Sequence, residues 1–592
     1  MKRKFKGVGK FGERNKDFLT RANEFGEKAG DHFSTLFLQR LKNVREVRLW
    51  VVEWALLVAV VFLFAIVQIF WYNSSYETTV FAEGGEYTEA TLGEIKSMNP
   101  LYASTSSEKV LAKLLFANLT SPDVSGHIGM DLADSVRMDE TGKVWTVTLR
   151  ENLKWSDGEP ITADDIIYTI NLINDDSAKT TVSADFSSIK MEKTDDRTVV
   201  FTLPSVYLDF VDTLEFPLLP SHILKDVSPA LVYEDSFSSN PVGSGPFTFK
   251  ALQSGGGTNR YLQMVYLQRN DRYYGGKTKL ASFNLRTYDS ASKIVEALRD
   301  SMVSATAENI DASSLKINHR VKLTNGGAYA FINTQSLVLK SQALRKIIQQ
   351  GVDMTKVREG IDQMRNLDYP FLTSQEEDLT YPALPEYDFE AAKKALLENK
   401  FVYDENDKLI DETGELVTLS LAVRKREPIQ TVAQHFAEEL EKLGFTVSMN
   451  VFDDTLPNMD FFAQVLRPRD YDILFYEIDL GVSADPFVYY SSSQANSNGW
   501  NFSNYSNALA DDALLTARTT LDTNLKTVKL NAFLQRWVNE VPAIGLYQSA
   551  MDYYYQDDIR FFSDDANFTD ALDRFSDVKY WATSRAEVMQ TP

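Results

Sequence analysis

The 592-residue sequence contains no cysteine. Disulfides, thiol nucleophiles and Cys-based metal sites are therefore excluded, although the absence does not identify a compartment. Histidine is scarce. His32, His127, His222, His319 and His435 are scattered, without the His-Glu-x-x-His spacing of a metal site. The chain has no Gly-x-Ser-x-Gly nucleophile elbow. Asp404-Glu405-Asn406-Asp407-Lys408 begins like a calcium loop, but its fifth position is Lys and the glycine is missing, so a surface hairpin turn is expected there. Gly7-Val8-Gly9-Lys10-Phe11-Gly12 matches a dinucleotide fingerprint only in form, since no strand precedes it and no βαβ unit surrounds it. No internal repeat or long low-complexity stretch is present. This inventory argues against an enzyme and calls for no cofactor and no metal.

What is present is a division of charge. Residues 1–50 carry 13 Lys/Arg and 6 Asp/Glu, whereas the remainder carries 48 Lys/Arg and 77 Asp/Glu. The strongly acidic body makes nucleic-acid binding improbable, because phosphate contacts need a basic face. Basic head and acidic body meet at Trp54–Tyr72, WALLVAVVFLFAIVQIFWY, which has no charge and one polar residue, Gln68. Nineteen residues at about 1.5 Å each span roughly 28 Å, close to a bilayer core of about 30 Å. Trp50, Trp54, Trp71 and Tyr72 stand at its ends, where aromatic rings favour the interface. Arg40, Lys42, Arg45 and Arg48 precede it, and Glu77, Glu83, Glu86 and Glu89 follow. The positive-inside rule then puts the N-terminus in the cytoplasm and the body outside, as a single-pass cell-membrane protein. A cleaved signal peptide ending near Val80-Phe81-Ala82 is the alternative, but the apolar run is long for a signal core and nearly 50 residues precede it. A buried core helix is the third reading, weakened by the charge switch. Residues 1–49 read as a solvated basic cytoplasmic segment; apolar positions between Phe33 and Val47 leave an amphipathic juxtamembrane helix open.

At this length two or three structural lobes are expected. Residues 50–72 are the anchor, 73–85 a polar tether, and the body follows. Within Leu132–Ile173, Val144–Leu149 alternates like a half-buried strand, Asp157-Gly158 marks a turn, and Thr162 with Asp165 forms an acidic capping box before Ile166, Ile167, Ile170 and Ile173. Asn240-Pro241-Val242-Gly243-Ser244-Gly245-Pro246-Phe247 packs two glycines and two prolines into a tight turn before a strand. Val417–Val423 reads as a strand, Pro428–Leu443 as a helix stopped by Gly444, and Phe445–Phe452 and Asp472–Glu477 as further strands. Such strand–helix–strand units imply a largely parallel sheet.

Taken in order, these blocks closely resemble the family 5 extracellular solute-binding proteins, the peptide and oligopeptide receptors of ABC importers. Ser97–Leu101, Leu219–Leu224, Leu267–Lys277, Tyr329–Thr334, Leu344–Asp353 and Val541–Tyr547 extend the resemblance over about residues 84 to 590. It implies an α/β, two-lobed, periplasmic-binding-protein-like clamp (type II, cluster C), with an extra subdomain in lobe 1, preceded here by one transmembrane helix. Lobe 1 is expected at 86–325 with its inserted subdomain at about 111–235, lobe 2 at 326–490 with the crossing near Tyr329–Thr334, and a return to lobe 1 at 491–592. The helix would replace the lipid-modified cysteine that tethers many relatives. The partners implied are a peptide or peptide-like solute and an ABC permease, with the chain a monomer.

For peptide ligands an amine needs a carboxylate, and a carboxylate needs a cation or a helix N-terminus. Val423-Arg424-Lys425-Arg426-Glu427-Pro428 sets three cations between the C-terminal end of a strand and the start of a helix, where α/β sheets bind ligands. By the resemblance Arg424 falls on the carboxylate-binding position, with Arg426 beside it and Lys425 facing solvent; a basic loop paired with surface carboxylates is the alternative. The family's peptide binders carry Trp-x-x-Asp ahead of an Asp/Glu-Pro pair. Here that pair is Asp485-Pro486, the Asp position is Val482 and the Trp position is Asp479. Either Asp479 takes the amine contact or the ligand lacks a free α-amine; Asp479 as a turn-capping carboxylate also remains open. Tyr102 and Ser104, in the stretch from which relatives contact ligand, are the first-lobe candidates. A ligand-sensing receptor or a scaffold on the same clamp stays open, as does, more remotely, a hydrolase.

Overall fold

The computed structural model describes residues 44–123, 126–182, 186–256, 260–361, 364–376, 378–453, 459–483, 485–556 and 559–589. The head before residue 44, with its Gly7–Gly12 motif and most of the amphipathic stretch, lies outside the described residues. The chain divides into two compact units, residues 1–80 with 585–592, and residues 81–584.

In the first unit, helix α1 (Val44–Tyr76) is 33 residues long, and within it Trp50–Tyr72 is long and apolar enough to cross a membrane, with none of that window buried against protein. A helix apolar all round suits a surrounding that is itself apolar. α1 continues past Tyr72 into the stretch expected as a tether.

The second unit is built on a ten-stranded sheet. Its strands in chain order are β1 (Glu86–Leu92), β2 (Phe247–Ser254), β3 (Gln263–Arg269), β4 (Ser282–Tyr288), β5 (Ala305–Thr306), β6 (Asn318–Ile332), β7 (Thr418–Arg424), β8 (Thr446–Phe452), β9 (Ile473–Asp479) and β10 (Ala543–Tyr555). Their spatial order is β8-β7-β9-β6-β10-β5-β1-β4-β3-β2. β7 pairs in parallel with β8 and β9, as the strand–helix–strand reading requires, but β6 and β10 run antiparallel to each other and β6 antiparallel to β9. The sheet is therefore mixed rather than largely parallel. β6 and β10 are too long to serve one lobe, and as an antiparallel pair they carry the sheet through both.

Their register breaks between Leu323 and Gly327, where β6 holds extra residues opposite Ala550 and Gln548. The break lies ahead of the Tyr329–Thr334 segment expected to make the crossing. At it, Asn325 joins the two halves: its N–H donates to Thr569 O (2.9 Å), its carbonyl accepts from Leu480 N (2.9 Å), and its Nδ2 donates to Gly481 O (2.8 Å).

A four-stranded antiparallel sheet (Ala133–Met138, Val144–Leu149, Thr198–Thr202, Lys190–Asp195) and a helix (Ala163–Ile173) form the subdomain inserted after helix α2 (Ser106–Leu115). Trp145, Val147, Val199, Phe201 and Phe210 of the insert share one core with Tyr87, Phe283 and Tyr553, so insert and first lobe are a single body. In the second lobe, helix α3 (Ile429–Lys442) buries Ile429, Val432, Ala433, Phe436 and Leu440 on one face of the sheet. Helices α4 (Ala508–Thr519) and α5 (Thr523–Glu540) bury Ala510, Leu514, Phe533 and Trp537 on the opposite face, with Tyr329, Phe331 and Leu474. Chain return to the first lobe is made after them by β10.

The glycine-rich block works by close approach. A Cβ on Gly243 would lie 2.0 Å from Leu115 O, and one on Gly245 2.6 Å from Leu115 C. Gly245 N donates to Leu115 O (2.8 Å) and Ser244 Oγ accepts from Ala117 N (2.9 Å), so this turn closes the end of α2.

Candidate functional site

The cation-rich loop leaves β7 at Arg424 and enters α3 through Glu427 and Pro428. Arg424 is half-buried, its guanidinium 5.5 Å from the centre of the Phe461 ring. Phe461 in turn stacks on Tyr476 of β9 at 5.9 Å, giving the cation an aromatic floor. Lys425 is exposed and pairs with Asp453 (2.8 Å), while Arg426 is exposed with its N–H on Arg424 O (2.8 Å). First and second lobes meet here, because Asn309 Nδ2 donates to Glu427 O (3.1 Å).

Asp479 ends β9, three residues beyond Tyr476, and its Oδ1 accepts from Gly481 N (2.8 Å). This is the turn-capping contact that residue type and spacing allowed. Its carbonyl accepts from the Tyr489 hydroxyl (2.5 Å). The carboxylate is reached by solvent yet walled by protein, and that enclosure is the main cause raising its pKa; the N–H of Gly481 and the charge of Lys109 oppose the rise, and Asp573 adds to it. Arg424 and Asp479 sit near the same edge, on adjacent parallel strands. Strand alternation separates them: Arg424 shares a face with Ala422 and Phe461, Asp479 with Phe475 and Glu477.

Tyr102 and Ser104 lie in the first lobe, ahead of α2. Tyr102 is 7% exposed, packed edge-on against Tyr233 at 5.2 Å, and its hydroxyl has no hydrogen-bond partner among the described residues. Ser104 donates through both N–H (2.9 Å) and Oγ (3.0 Å) to Glu108 Oε2, inside the capping box that starts α2. Burial alone would raise the Glu108 pKa, but N–H groups of Ser104, Lys96 and Thr105 outweigh it and hold the carboxyl below its ordinary value.

Sequence reasoning passed over a cluster of acidic groups around Asp479. Asp479 faces Glu215, Asp570 and Asp573 of the first lobe, with Lys113 of α2 lying 3.7 Å from Glu215 and 3.6 Å from Asp573. Glu215 and Asp570, like Asp479, are open to solvent but enclosed. Enclosure first, then neighbouring carboxylates, push the Glu215 pKa up to about 8 and that of Asp570 up to about 6 despite Lys113. Lys113 itself titrates above its ordinary value because Glu215, Asp573, Asp570 and Asp131 outweigh its burial. Two lysines, Lys109 and Lys113, stand among the four carboxyl groups, so acidic groups outnumber basic ones in this recess between the lobes. The only trace in sequence is a lone charge in an apolar run, Leu214-Glu215-Phe216.

Residues 127–501 match the family model described as bacterial extracellular solute-binding proteins, family 5. The chain belongs to this family. Among its curated relatives, the oligopeptide-binding protein AppA of Bacillus subtilis is 24% identical over 488 residues, covering 78% of this chain and 86% of AppA. The probable D,D-dipeptide-binding periplasmic protein DdpA of Escherichia coli is 25% identical over 457 residues, covering 72% and 80%. The solved structure of B. subtilis AppA in complex with a nonapeptide superposes with a TM-score of 0.69 at 20% identity, over 85% of this chain and all of that one. NikZ from Campylobacter jejuni, in complex with Ni(L-His), gives 0.68 at 21% identity over 84% and 99%. This family 5 protein thus has the two-lobed α/β fold of its neighbours.

In the family 5 scaffold, the buried Asp165 explains why the Leu132–Ile173 block is built as it is. Asp165 accepts from Thr162 N (2.8 Å), Ser221 N (2.8 Å), Ser221 Oγ (2.7 Å) and Trp155 Nε1 (3.4 Å), tying the helix start to Leu219–Leu224. The Asp404–Lys408 turn is a hairpin tip, with Asp404 Oδ1 accepting from Asn406 N (2.8 Å) and Lys408 N (2.7 Å).

Proposed function

We propose that this protein captures a peptide or peptide-like solute between its lobes and delivers it to an ABC importer, held at the membrane by α1 with its body outside the cell. Reversible capture rather than turnover is the work such a site can do. The observation that carries the reading is the polarity of the region where the lobes meet. A basic loop, Arg424 to Arg426, stands beside Asn309, and a carboxylate recess gathers Glu215, Asp479 and Asp570. A zwitterionic solute satisfies both, its carboxylate by charge-assisted hydrogen bonds to guanidinium and its amine by the recess. Arg424 is the primary anion ligand in this reading and Arg426 its neighbour. Asp479, through the oxygen not engaged by Gly481, shares the amine with Glu215 and Asp570. Tyr102 and Ser104 shape the first lobe rather than touch the solute.

The test is to express the body without α1, purify it with no added ligand, denature it and identify released small molecules by mass spectrometry. Co-purified peptides with free termini are the expected result. An empty cleft that also ignores a mixed peptide pool in a thermal-shift assay overturns the peptide reading.

A further inference from the structure

The lobes also touch through side chains, at a place distant in sequence from the loop at Arg424. Arg518, on α4, belongs to the second lobe through its helix. Its Nε lies 3.2 Å from Asp485 Oδ2, and its guanidinium stands 4.8 Å from the ring of Phe487. The same guanidinium lies 4.4 Å from the ring centre of Tyr207. Tyr207 precedes the short helical turn Leu208–Leu214 and packs on the first-lobe core. One turn along that segment, the Asp212 carboxylate lies beside Ser483, which again belongs to the second lobe. A third contact flanks these two. A Cβ on Gly142, at the hairpin tip of the insert, would meet Val206 at 3.0 Å and Leu521 of the α4–α5 loop at 3.2 Å.

We propose that Tyr207 and Asp212 on the insert, with Arg518 and Ser483 on the second lobe, form a latch that holds the clamp closed without help from a ligand. The physical grounds are direct. A guanidinium held between a carboxylate and two rings is fixed in one geometry and largely shielded from water, where cation–π and ionic attraction are strongest. Asp485 is the second lobe's own partner for Arg518, so opening the clamp removes only Tyr207 and leaves Arg518 paired. Opening likewise parts Ser483 from Asp212 and the Gly142 hairpin tip from Leu521. Each loss is modest, and together they bias a two-state hinge toward closure. The consequence concerns closure alone and holds whatever solute the cleft takes: solute enters after the latch opens.

Because the chain has no cysteine, two introduced ones label it cleanly. Thr194→Cys in the insert and Glu438→Cys on α3 are exposed positions on opposite lobes. Spin labels there, on the full chain in lipid nanodiscs without solute, report the interlobe distance by pulsed dipolar spectroscopy. The parent is expected to show one short-distance population. Tyr207→Ala and Arg518→Ala are each expected to move at least half of it to a separate longer distance. Tyr207→Ala leaves the Arg518–Asp485 pair in place, so it decides the matter if Arg518→Ala fails to fold. Distance distributions unchanged by Tyr207→Ala and by Asp212→Asn, or a parent already open, overturn the latch.

Discussion

Arg574 reaches across 485 residues of sequence to lay its guanidinium against Glu89, with Nη2 2.6 Å and Nε 3.2 Å from Oε1. Both side chains are almost wholly buried, at 4% and 1% exposure, and Tyr87 donates to the other carboxylate oxygen at 3.0 Å. Removing one partner leaves the other as an uncompensated buried charge, which costs about 3–5 kcal/mol. Arg574→Met is therefore expected to lower the unfolding free energy of the body by that amount, read as a lower urea midpoint with the denaturant slope unchanged. Glu89→Gln combined with Arg574→Met is expected to recover part of the loss. A single variant as stable as the parent would show that the pair is not closed in solution.

Asp165 gives the inserted subdomain a comparable dependence. Its carboxylate satisfies donors from Thr162, Ser221 and Trp155. Asp165→Ala leaves those donors buried without partners, at about 1–3 kcal/mol each where no water replaces them. Asp165→Asn keeps one accepting oxygen and removes a buried charge, so it is expected to cost less than Asp165→Ala. Equilibrium unfolding of the two variants checks the order, and equal losses would contradict it.

The two kinds of residue were unequally visible in the sequence. Thr162, Asp165 and the apolar face of α3 were legible because caps and helical periodicity are local rules. The glycine-rich turn was legible as a turn, but the close approach of Gly243 and Gly245 to Leu115 is set by a partner 128 residues away for Gly243 and 130 for Gly245, and no local pattern shows it. Arg424 could be placed at a strand end by pattern alone. Glu215, Asp570 and Lys113 could not be joined to Asp479, because their proximity is produced only by the pairing of β6 with β9 and β10. For Tyr102 and Ser104 the sequence allows two roles at once. A polar or aromatic residue near a helix start serves the helix cap and the core as readily as a ligand, and Glu108 claims Ser104.

Membrane attachment through α1 makes a prediction of topology. With a basic flank before Trp50 and an acidic one after Tyr72, the positive-inside rule predicts a body outside the cytoplasm. A reporter that matures only outside the cytoplasm is expected to be active when fused after residue 85 and inactive when fused at residue 43. The full-length body should stay with the membrane after washing with high salt. A body recovered only in the soluble fraction, shortened to start after Ala82, would make the segment a cleaved signal instead.

For Arg424 the expected effect is on binding and not on folding. Its guanidinium rests on Phe461 at the surface of the second lobe and is only half-buried. Arg424→Ala is expected to weaken binding of a co-purified peptide by about 1.5–3 kcal/mol, the value of a hydrogen bond to a charged group, while the Tm of the empty protein barely moves. Arg424→Lys keeps the charge and loses the fork, so an intermediate loss is expected. Isothermal titration calorimetry of the three proteins measures it, and equal affinities would remove Arg424 from the site.

The carboxylate recess predicts a proton signature. Enclosure by protein pushes the Glu215 pKa up to about 8 from its ordinary value of 4.5. An acid whose pKa is higher in the folded chain binds more protons there than when unfolded, so its contribution to stability falls as pH rises from about 4.5 to 8. Asp570, raised to about 6, acts in the same sense over the lower part of that window. Glu215→Gln removes the larger penalty. The variant is expected to match the parent's Tm at pH 5 and to exceed it at pH 8.5. A cationic group entering the recess favours the ionised carboxylates and pulls the Glu215 pKa down, so binding at pH 7 must expel protons. Titration of a tripeptide with a free α-amine, in buffers of differing ionisation heat, is expected to show net proton release in the parent and less in Glu215→Gln. The same peptide with an acetylated amine is expected to release fewer protons. Release that is unaltered by both changes would place the amine away from Glu215.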